Sequence, residues 1–377
     1  MNIAIVGCGF VSAYYMQTMQ IHPQLRLVGA YDRDSLRLSN FTRRYAMRGY
    51  RSLDELCQDR DVDLVLNLTS TSSHFDVSRV SLEHGKHVYT EKPITLCHAH
   101  AEQLVSLASE KGCIFSSAPC SLLGSTAQTL WRALRANRVG QPYLVYAEMD
   151  DGMIHRMPYR NWQNADGVPW PAHEEFESGC TLEHAGYYVA WLAAFFGPVR
   201  RVHAFASVVI PDKQSDEPLT KHAPDFSVAC LEFDHGLVAR LTCSIVAPRD
   251  HQLRIIGEDG ILATRDCWHY HSPVYVRRRL NIRNRTIMHP WPRREKLWGA
   301  GKLGFRMKGA QQMDFCRGLV DIADAVATGR SPYLASDYCL HVNEVVLAIQ
   351  NAGDQGAIYD VRTEFQPLQP LTDRGTR

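Results

Sequence analysis

The sequence predicts an α/β domain followed by an α+β domain with a mainly antiparallel sheet, and three observations lead to this fold class. Short apolar strands alternate with amphipathic helices over residues 1–120, which is the pattern of parallel βαβ units. A glycine-rich turn, Gly7-Cys8-Gly9, follows the first strand directly. Beyond residue 140 the apolar strands recur at hairpin spacing, which is typical of an antiparallel sheet.

The first domain is predicted over residues 1–122. Six strands joined by helical crossovers match a doubly wound, Rossmann-type sheet. The predicted strands cover residues 3–6, 26–31, a weaker stretch near Tyr50, 64–68, 87–90 and 113–116. The predicted helices cover residues 11–20, 35–45, 53–57, 75–84 and 99–111.

The second domain is predicted over residues 123–370. It begins with a helix at residues 125–136 and closes with helices at 311–327 and 336–352. Strands are predicted between them at residues 144–149, 202–209, 226–233, 237–246, 252–256 and 260–264. Residues 371–377 are predicted to be a frayed tail.

Composition excludes several classes of protein. The 377 residues, 45% of them hydrophobic and 21% charged, are expected to form two globular domains. Lys and Arg number 41 against 40 Asp and Glu, so the chain lacks the basic excess of a nucleic-acid binder. No apolar run is long enough to span a membrane, no secretory leader precedes the first strand, and the eleven cysteines are scattered. We therefore expect a cytoplasmic protein that binds a small molecule, with no nucleic-acid or membrane partner.

Gly7 and Gly9 open a candidate dinucleotide-binding loop. Gly7 provides the tight turn, and Gly9 allows the backbone to approach a pyrophosphate. The pyrophosphate would lie against the start of the helix that follows, at Phe10 and Val11. Ser12 stands where a third glycine is usual, so the predicted helix and strand are slightly farther apart.

Asp32 ends the second predicted strand, where a carboxylate accepts hydrogen bonds from an adenosine ribose. A carboxylate at this place repels a 2′-phosphate, although the neighbouring Arg33 would tolerate one. The sequence therefore predicts NAD as the cofactor, with NADP as the less favoured alternative. The other interpretation of Asp32 is a turn residue without a ligand.

Polar residues also follow other strands, at the edge where doubly wound sheets bind ligands. Thr69, Ser70 and His74 follow one strand, and Glu91 and Lys92 follow the next. We interpret them as cofactor contacts. The hydroxyl-rich run that starts at Thr69 is alternatively a solvated loop that caps the following helix.

The stretch GKHVYTEKP, which contains Glu91 and Lys92, resembles the Gfo/Idh/MocA oxidoreductase family. The resemblance extends over nearly the whole chain, at residues 3–12, 52–69, 178–199 and 313–332. It implies a Rossmann domain followed by an open, mainly antiparallel sheet whose free face forms homodimers or homotetramers. It also implies NAD(P)-dependent chemistry on sugars, polyols or related compounds.

The resemblance places Lys92 beside the nicotinamide and the substrate hydroxyl, as a catalytic residue. Many members also carry Asp-x-x-x-His at the start of a helix in the second domain. The aligned residues here are Glu183 and Tyr187, with His184 between them. We take Tyr187 as the first candidate for relaying the proton and His184 as the second, with Glu183 orienting one of them or a substrate hydroxyl. Because Tyr187 belongs to an aromatic helix, a core position is the alternative.

Residues 155–162 form a predicted loop that mixes hydrogen-bond donors with aromatic rings, a mixture that suits sugars and polyols. The candidate substrate-binding residues in it are His155, Tyr159, Arg160 and Trp162. Each is alternatively an ordinary surface side chain. The histidines of the chain show no metal-ligand spacing, and hydride transfer of this type needs no metal, so no metal is predicted.

The segment from Arg277 to Lys308 carries an unusual local charge. It holds eleven Lys or Arg against one acid, Glu295, in a chain whose net charge is +1. One interpretation is a solvated excursion or a contact between subunits. The other is an electrostatic trap for an anionic substrate such as a nucleotide-sugar or sugar phosphate.

These observations favour an NAD-dependent dehydrogenase or reductase that acts on a secondary alcohol or ketone of a sugar, polyol or nucleotide-sugar. Two alternatives stay open. One is a non-catalytic NAD-binding regulatory protein, which the departure at Tyr187 favours and the presence of Lys92 disfavours. The other is an NAD-dependent glycosidase, which oxidises and reduces its substrate again within one turnover.

Overall fold

The computed structural model describes residues 1–299, 312–356 and 358–372, without the side chains of residues 354 and 355. It divides into two compact units. The first contains Met1–Cys120, Pro158–Ser178 and Phe315–Leu347, and the second contains the remaining described residues. Two segments that the sequence assigned to the second domain, residues 158–178 and 315–347, thus belong to the first unit.

The first 120 residues alternate strands and helices, as the sequence predicts. The strands are β1 (Asn2–Val6), β2 (Arg26–Tyr31), β3 (Arg48–Gly49), β4 (Leu64–Asn67), β5 (His87–Thr90) and β6 (Phe115–Ser117). The helices are α1 (Ser12–Met19), α2 (Ser35–Tyr45), α3 (Leu53–Gln58), α4 (His74–Glu83) and α5 (His98–Lys111). β6 starts later than predicted because the Cys113 N–H still donates to Ala108 O in the C-terminal cap of α5.

These six strands form one parallel sheet in the order β3-β2-β1-β4-β5-β6. Ile3, Ile5, Leu64 and Leu66 in its central strands are fully buried. Such continuous apolar strands are expected where helices cover both faces of a sheet. Since the strands are parallel, their carboxyl ends lie at one edge, which is where the candidate cofactor residues follow β1, β2, β4 and β5.

Side-chain caps explain where two of these helices begin. The Asp34 carboxylate accepts hydrogen bonds from the Leu36 and Arg37 N–H groups at the start of α2, both at 3.0 Å. The Ser52 hydroxyl accepts one from the Glu55 N–H at the start of α3. Both caps satisfy donors that have no partner within the helix, so the starts of α2 and α3 are fixed locally.

The rest of the chain has longer strands. Its helices are α6 (Ser125–Arg135), α7 (Ala172–Ser178), α8 (Gly186–Phe196), α9 (Arg317–Thr328), α10 (Ser336–Gln350) and α11 (Ala352–Gln355). Its strands are β7 (Pro142–Asp150), β8 (Arg201–Ser207), β9 (Phe226–Glu232), β10 (Val238–Ser244), β11 (Leu253–Gly257), β12 (Gly260–Thr264), β13 (Tyr275–Ile282), β14 (Arg285–Met288), β15 (Arg293–Arg294) and β16 (Ile358–Asp360).

The predicted start of α9, at residue 311, lies outside the described residues, and the described helix begins only at Arg317. Gln312 is not helical, because its N–H donates to Trp268 O in a bridge between two chain segments. Strands β13 to β15 were not predicted. Their arginine-rich sequence lacks the apolar alternation by which a half-buried strand is recognised.

The second unit is built on a ten-stranded sheet with the order β14-β13-β12-β11-β7-β10-β9-β8-β16, in which β15 also pairs with β13. The pairs are antiparallel except that β7 and β10 are parallel. This confirms the predicted fold class of a Rossmann-type domain with a second domain whose sheet is mainly antiparallel. The parallel pair departs from uniform hairpin pairing, because β7 and β10 are far apart along the chain.

One face of this sheet is buried and the other is partly open. Val145, Ala147, Ala229 and Leu241 are at most 1% exposed on the buried face. The side chains on the opposite face are mostly half-buried or exposed. Phe205 on that face is 58% exposed. Helix α8 is buried over almost its whole length, so it is a core helix of this unit.

The end of the described chain is fixed rather than frayed. The Leu371 N–H donates to Gln128 Oε1, and Leu371 O accepts from the Arg132 guanidinium. Two residues of α6 thus satisfy the backbone of Leu371, the first residue of the predicted frayed tail. Residues 373–377 lie outside the described part. Among the described helices, none is both long and apolar enough to cross a membrane.

Candidate active site

The loop after β1 has the geometry of a dinucleotide-binding turn. Gly7 has φ +96°, and a Cβ atom there would lie 2.6 Å from the backbone oxygen of Leu68. Any side chain at Gly7 would thus collide with the end of β4. A Cβ at Gly9 would meet nothing within 4 Å, so the backbone faces open space where a phosphate group fits. The Ser12 hydroxyl donates to Gly9 O at 2.7 Å and holds this turn.

Asp32 follows β2 and holds the same loop. Its side chain is only 4% exposed. Oδ2 accepts a hydrogen bond from the Cys8 N–H and Oδ1 accepts one from the Asp34 N–H, each at 2.8 Å. Each carboxylate oxygen has a second lone pair, so Asp32 retains acceptor capacity for a ribose hydroxyl. Burial and the Asp32 charge raise the pKa of the Cys8 thiol, which keeps that thiol neutral.

The cation that accompanies Asp32 is Arg37, which the sequence reasoning missed. Its guanidinium lies 3.7 Å from Asp32 Oδ2 and also 3.7 Å from Asp34 Oδ2. Arg33, the residue named from the sequence, is exposed. The sequence contained a signal for Arg37. It lies three residues after Asp34, the cap of α2, and residues at this spacing lie on the same side of a helix, so its side chain can reach the end of β2.

His74 connects the loops that follow β4 and β5. The ring is 1% exposed, with Nδ1 2.7 Å from Pro93 O and Nε2 3.1 Å from Thr69 O. Thr69 is held from the other side, because its hydroxyl donates to Asn67 Oδ1 at 2.7 Å. His74 therefore positions the two loops, and a direct contact with the cofactor remains a prediction. The Ser70 hydroxyl lies 3.4 Å from that of Ser72.

Glu91 is a buried, hydrogen-bonded carboxylate directly before Lys92. Oε1 accepts from the Tyr15 hydroxyl at 2.7 Å, and Oε2 accepts from the Lys92 N–H at 3.1 Å. Burial and the negative charge of Glu91 raise the pKa of the Tyr15 phenol, so it stays a donor. Lys92 itself is half-buried. The backbone of Lys92 is thereby anchored to α1, at the same sheet edge as Gly9 and Asp32.

In the second unit, three predicted catalytic residues lie at the start of α8. Glu183 and His184 belong to a π-helical turn, Thr181–Ala185, which precedes the helix that contains Tyr187. Such turns are frequent at functional sites. The rings of His184 and Tyr187 both pack edge-on against Trp268, with centroids 5.5 and 5.6 Å away. The structure thus brings His184 and Tyr187 together on one indole ring.

A half-buried carboxylate that the sequence reasoning missed, Asp151, lies beside His184. Asp151 Oδ2 is 3.9 Å from His184 Nε2, and Asp151 Oδ1 is 3.6 Å from His251 Nε2. Burial raises the pKa of Asp151 to about 6, although His251 and Arg249 oppose the shift. The available signal was the acid pair that ends β7, since a strand-end carboxylate is a common ligand or catalytic group.

A second carboxylate, Asp266, extends this cluster. His251 Nδ1 lies 3.4 Å from Asp266 Oδ1, and with Cys267 these residues have donor atoms within 4.8 Å of one another. The cluster does not suit a metal ion, because the Arg249 guanidinium already lies 3.1 Å from Asp266 and 3.3 Å from His251 Nδ1. A metal ion would be repelled by that positive charge.

The predicted substrate loop is divided between the units. Tyr159 is 3% exposed, and its ring packs edge-on against Phe176, so the structure places it in a core. Trp162 packs against Trp170 nearby, and Arg160 is exposed. His155 is buried and belongs to the second unit. Three of the four residues belong to the first unit and one to the second, and their role as substrate contacts remains a prediction.

The basic segment forms an exposed hairpin from β13 and β14. Arg277, Arg278, Arg283 and Arg285 are exposed there. A cavity of about 590 Å³ farther along is lined by Arg294, Glu295, Lys296, Leu297 and Gly299. The cations at residues 302, 306 and 308 lie outside the described residues. The described part thus presents several unneutralised cations to solvent, which suits an anionic ligand.

The fold and the loop after β1 together define a dinucleotide-binding protein. Comparison with known families agrees. Residues 1–118 match the Gfo/Idh/MocA oxidoreductase family with its NAD-binding Rossmann fold, and residues 127–263 match the C-terminal domain of the same family. The chain belongs to the Gfo/Idh/MocA family, whose members are NAD(P)-dependent oxidoreductases.

Individual relatives are similar at low identity. The trans-1,2-dihydrobenzene-1,2-diol dehydrogenase of Danio rerio is 23% identical over 261 residues, which is 68% of this chain and 72% of that protein. The UDP-N-acetylglucosamine 3-dehydrogenase of Acidithiobacillus ferrooxidans is 31% identical over 111 residues, 29% of this chain and 34% of that one. A crystal structure of the WlbA dehydrogenase of Bordetella pertussis, in complex with NADH and UDP-GlcNAcA, has a TM-score of 0.72 at 18% identity and covers 96% of this chain and 99% of that one.

Proposed function

We propose that the protein is an NAD-dependent dehydrogenase or reductase that transfers a hydride between nicotinamide and a secondary alcohol or ketone carbon of a sugar, polyol or nucleotide-sugar. The observation that carries this proposal is the arrangement at one sheet edge in the first unit. Lys92 follows β5, anchored through Glu91 and Tyr15, at the edge that also presents Gly9 and Asp32.

The residues of this edge fit a dinucleotide. Gly9 would place backbone N–H groups against the pyrophosphate, because nothing fills the space beside it. Asp32 would accept a ribose hydroxyl, with Arg37 near enough to respond to a 2′-phosphate. The nicotinamide ring, when bound, supplies the acceptor or donor of the hydride.

The chain itself handles the proton and the orientation of the substrate. The Lys92 ammonium donates a hydrogen bond to the reacting oxygen, and this bond strengthens as negative charge develops there. A second group from the start of α8, His184 or Tyr187, carries the proton away. Glu183 beside them orients that group or a substrate hydroxyl.

Two observations support a nucleotide-sugar among the substrate classes. The relative from Acidithiobacillus ferrooxidans is a UDP-N-acetylglucosamine 3-dehydrogenase, and the structure from Bordetella pertussis was determined with UDP-GlcNAcA. The exposed hairpin of β13 and β14 offers arginines in pairs that suit a diphosphate. A neutral diol is the competing substrate class, as the name of the Danio rerio relative suggests.

The test is a Lys92→Met variant assayed with NAD⁺ and a panel of sugars, diols and nucleotide-sugars. We expect turnover to fall about 100-fold or more, because a positioned hydrogen-bond donor to the developing negative charge contributes that much to the transition state. NADH affinity, measured by fluorescence titration, should stay within several-fold. Lys111→Met, at the exposed end of α5, is the matched control and should behave as wild type. Turnover by Lys92→Met at the wild-type rate would contradict the proposal.

A further inference from the structure

A short hairpin far along the chain contacts the loop after β1. Residues 162–170 belong to the first unit, the same unit as that loop. The Trp170 N–H donates to Trp162 O at 2.9 Å, and the Asn164 N–H donates to Val168 O at 3.0 Å. These backbone bonds close the segment into a tight turn, which we call the 162–170 hairpin.

The Asn164 side chain joins this hairpin to the loop after β1. Its Oδ1 atom accepts hydrogen bonds from the Asp166 and Val168 N–H groups, each at 2.9 Å. Because two N–H donors identify this atom as the amide oxygen, the other end of the amide is the NH₂ donor. Nδ2 donates to Phe10 O at 2.8 Å. Asn164 therefore organises the turn and also holds a carbonyl group of the loop.

The hydrogen bond to Phe10 O fixes the direction of the next N–H group. A trans peptide unit is planar, so the Val11 N–H points away from Phe10 O and hence away from the hairpin. Val11 is the N-cap of α1, and the first N–H groups of a helix have no acceptor within the helix. Such N–H groups are the ones that bind phosphate at a helix start, and the space beside Gly9 is open to a phosphate.

The tip of the hairpin has a second anchor on α2, the helix that begins after Asp32. The Asp166 carboxylate accepts from the Tyr45 hydroxyl at 2.7 and 2.9 Å and lies 2.7 Å from Arg44 Nε. Burial and the hydrogen bond to Asp166 raise the pKa of Tyr45 to about 12, so the phenol stays a donor. Arg44 Nη2 also donates to Ala165 O at 3.1 Å. The hairpin is thus held at two points of the first unit.

We propose that the 162–170 hairpin is a strap on the dinucleotide-binding loop and that Asn164 is a positioning residue for the pyrophosphate of the cofactor. By holding Phe10 O, Asn164 presents the Val11 N–H before the cofactor arrives, so binding does not have to order the loop. Polar contacts hold the tip, and the Arg44 side chain in them is 50% exposed, so the strap can open and release the cofactor. This inference concerns cofactor binding and is independent of the proposed hydride transfer.

Cofactor binding by Asn164→Ala tests the inference, with Gln163→Ala as the matched control. Gln163 is an exposed neighbour in the same hairpin. NADH and NADPH are both titrated by fluorescence, because the pyrophosphate is common to them, and their dissociation is followed by stopped flow. We expect Asn164→Ala to weaken binding about tenfold, mostly through faster dissociation. Gln163→Ala should behave as wild type. Equal affinity and equal dissociation rates for Asn164→Ala and wild type would overturn the inference.

Calorimetry with ADP-ribose locates the effect within the cofactor. ADP-ribose carries the pyrophosphate but lacks the nicotinamide ring. If Asn164 acts on the pyrophosphate, Asn164→Ala should weaken ADP-ribose and the reduced cofactor by the same factor. A loss confined to the intact cofactor would assign Asn164 to the nicotinamide end and would overturn the inference. Neither measurement requires turnover, so failure of the proposed dehydrogenase activity would leave this result unaffected.

A second variant, Asp166→Ala, tests the strap without removing the Asn164 side chain. It frees the tip from Arg44 and Tyr45, while the Asp166 N–H can still donate to Asn164 Oδ1. We expect the reduced cofactor to dissociate several-fold faster, and the melting temperature without cofactor controls for folding. Hydrogen exchange of residues 162–170 in the whole wild-type protein should slow when the cofactor binds. An unchanged dissociation rate in Asp166→Ala, or exchange that does not respond to cofactor, would overturn the strap.

Discussion

The Asp32 carboxylate holds the loop after β1 and lies close to a cation. It accepts from the Cys8 N–H, and the same oxygen lies 3.7 Å from Arg37. Arg37 is therefore partly neutralised by Asp32. Without the Asp32 carboxylate, the Arg37 guanidinium would be available to the 2′-phosphate of NADP. The carboxylate is therefore the physical reason why we expect NAD rather than NADP.

For Asp32→Ala we expect NADH affinity to fall about tenfold or more, since hydrogen bonds to a charged group contribute about 1.5–3 kcal/mol. NADPH affinity should fall less or rise, because Arg37 becomes available to the 2′-phosphate. Fluorescence titration with both cofactors measures this. Asp61→Ala, an exposed carboxylate of the same unit, is the control. NADPH binding wild-type protein tenfold more tightly than NADH would rule out the argument from Asp32.

The two candidates for the proton relay, His184 and Tyr187, have different surroundings. Sequence comparison with the family favoured Tyr187, because it occupies the aligned position. The structure places a carboxylate near His184, whereas Tyr187 is 5% exposed and belongs to the core helix α8. The next prediction therefore tests both residues as candidates for the proton relay.

We expect His184→Ala to lower kcat about 100-fold or more, and Tyr187→Phe to lower it less than tenfold. Steady-state oxidation at saturating NAD⁺ is the measurement, and the melting temperature of each variant controls for damage to the core. A larger loss in a well-folded Tyr187→Phe would restore the ordering that the sequence favoured.

At the scale of elements, the β13–β14 hairpin is notable for its exposed positive charge. Its exposed arginines lie on a two-stranded extension at the edge of the large sheet. So much like charge costs self-repulsion unless an anion or an acidic neighbouring subunit compensates it. The prediction that follows tests whether the compensating anion is a substrate.

For the double variant Arg283→Gln and Arg285→Gln we expect KM for a nucleotide-sugar to rise with little change in kcat. Rising ionic strength should depress kcat/KM of the wild type more than that of the variant. Arg135→Gln with Arg138→Gln, which neutralises two exposed arginines in and just after α6, is the control. A change in sedimentation mass without a change in KM would instead assign the hairpin to a subunit contact.

At the scale of the molecule, each unit leaves a different surface available. Helices cover both faces of the parallel sheet in the first unit, so the edge formed by the carboxyl ends of its strands is the part left open to a ligand. The large sheet of the second unit has one open face, on which Phe205 and Val228 are cross-strand neighbours. An open sheet face with exposed apolar side chains favours association with a second copy.

We expect the wild type to sediment as a homodimer or homotetramer, and Phe205→Glu to lower the mass because a buried charge would be placed in the contact. Analytical ultracentrifugation of both at equal concentration checks this. Leu36→Glu changes an even more exposed apolar side chain of the first unit and should leave the mass unchanged. A monomeric wild type would show that the open face has no second copy on it.

The sequence by itself determined the order of the βα units and the residues at the strand ends. Gly7, Asp32 and Lys92 were found because glycine turns, apolar periodicity and strand-end polar residues are local signals, readable within a few residues. The shared edge of a parallel sheet then follows from topology alone. For that reason the fold class and the cofactor edge could be predicted, apart from Arg37.

Only the tertiary structure decided which distant residues meet. Asp151 lies near His184 and His251 because the end of β7 lies beside the π-helical turn and bridges to Asp250, just before β11. No periodic pattern in the sequence connects these segments. The hydrogen bond from Tyr15 to Glu91 and the parallel pairing of β7 with β10 likewise join segments that are far apart along the chain. Such contacts depend on how elements pack across long chain separations, so local propensity carries no information about them.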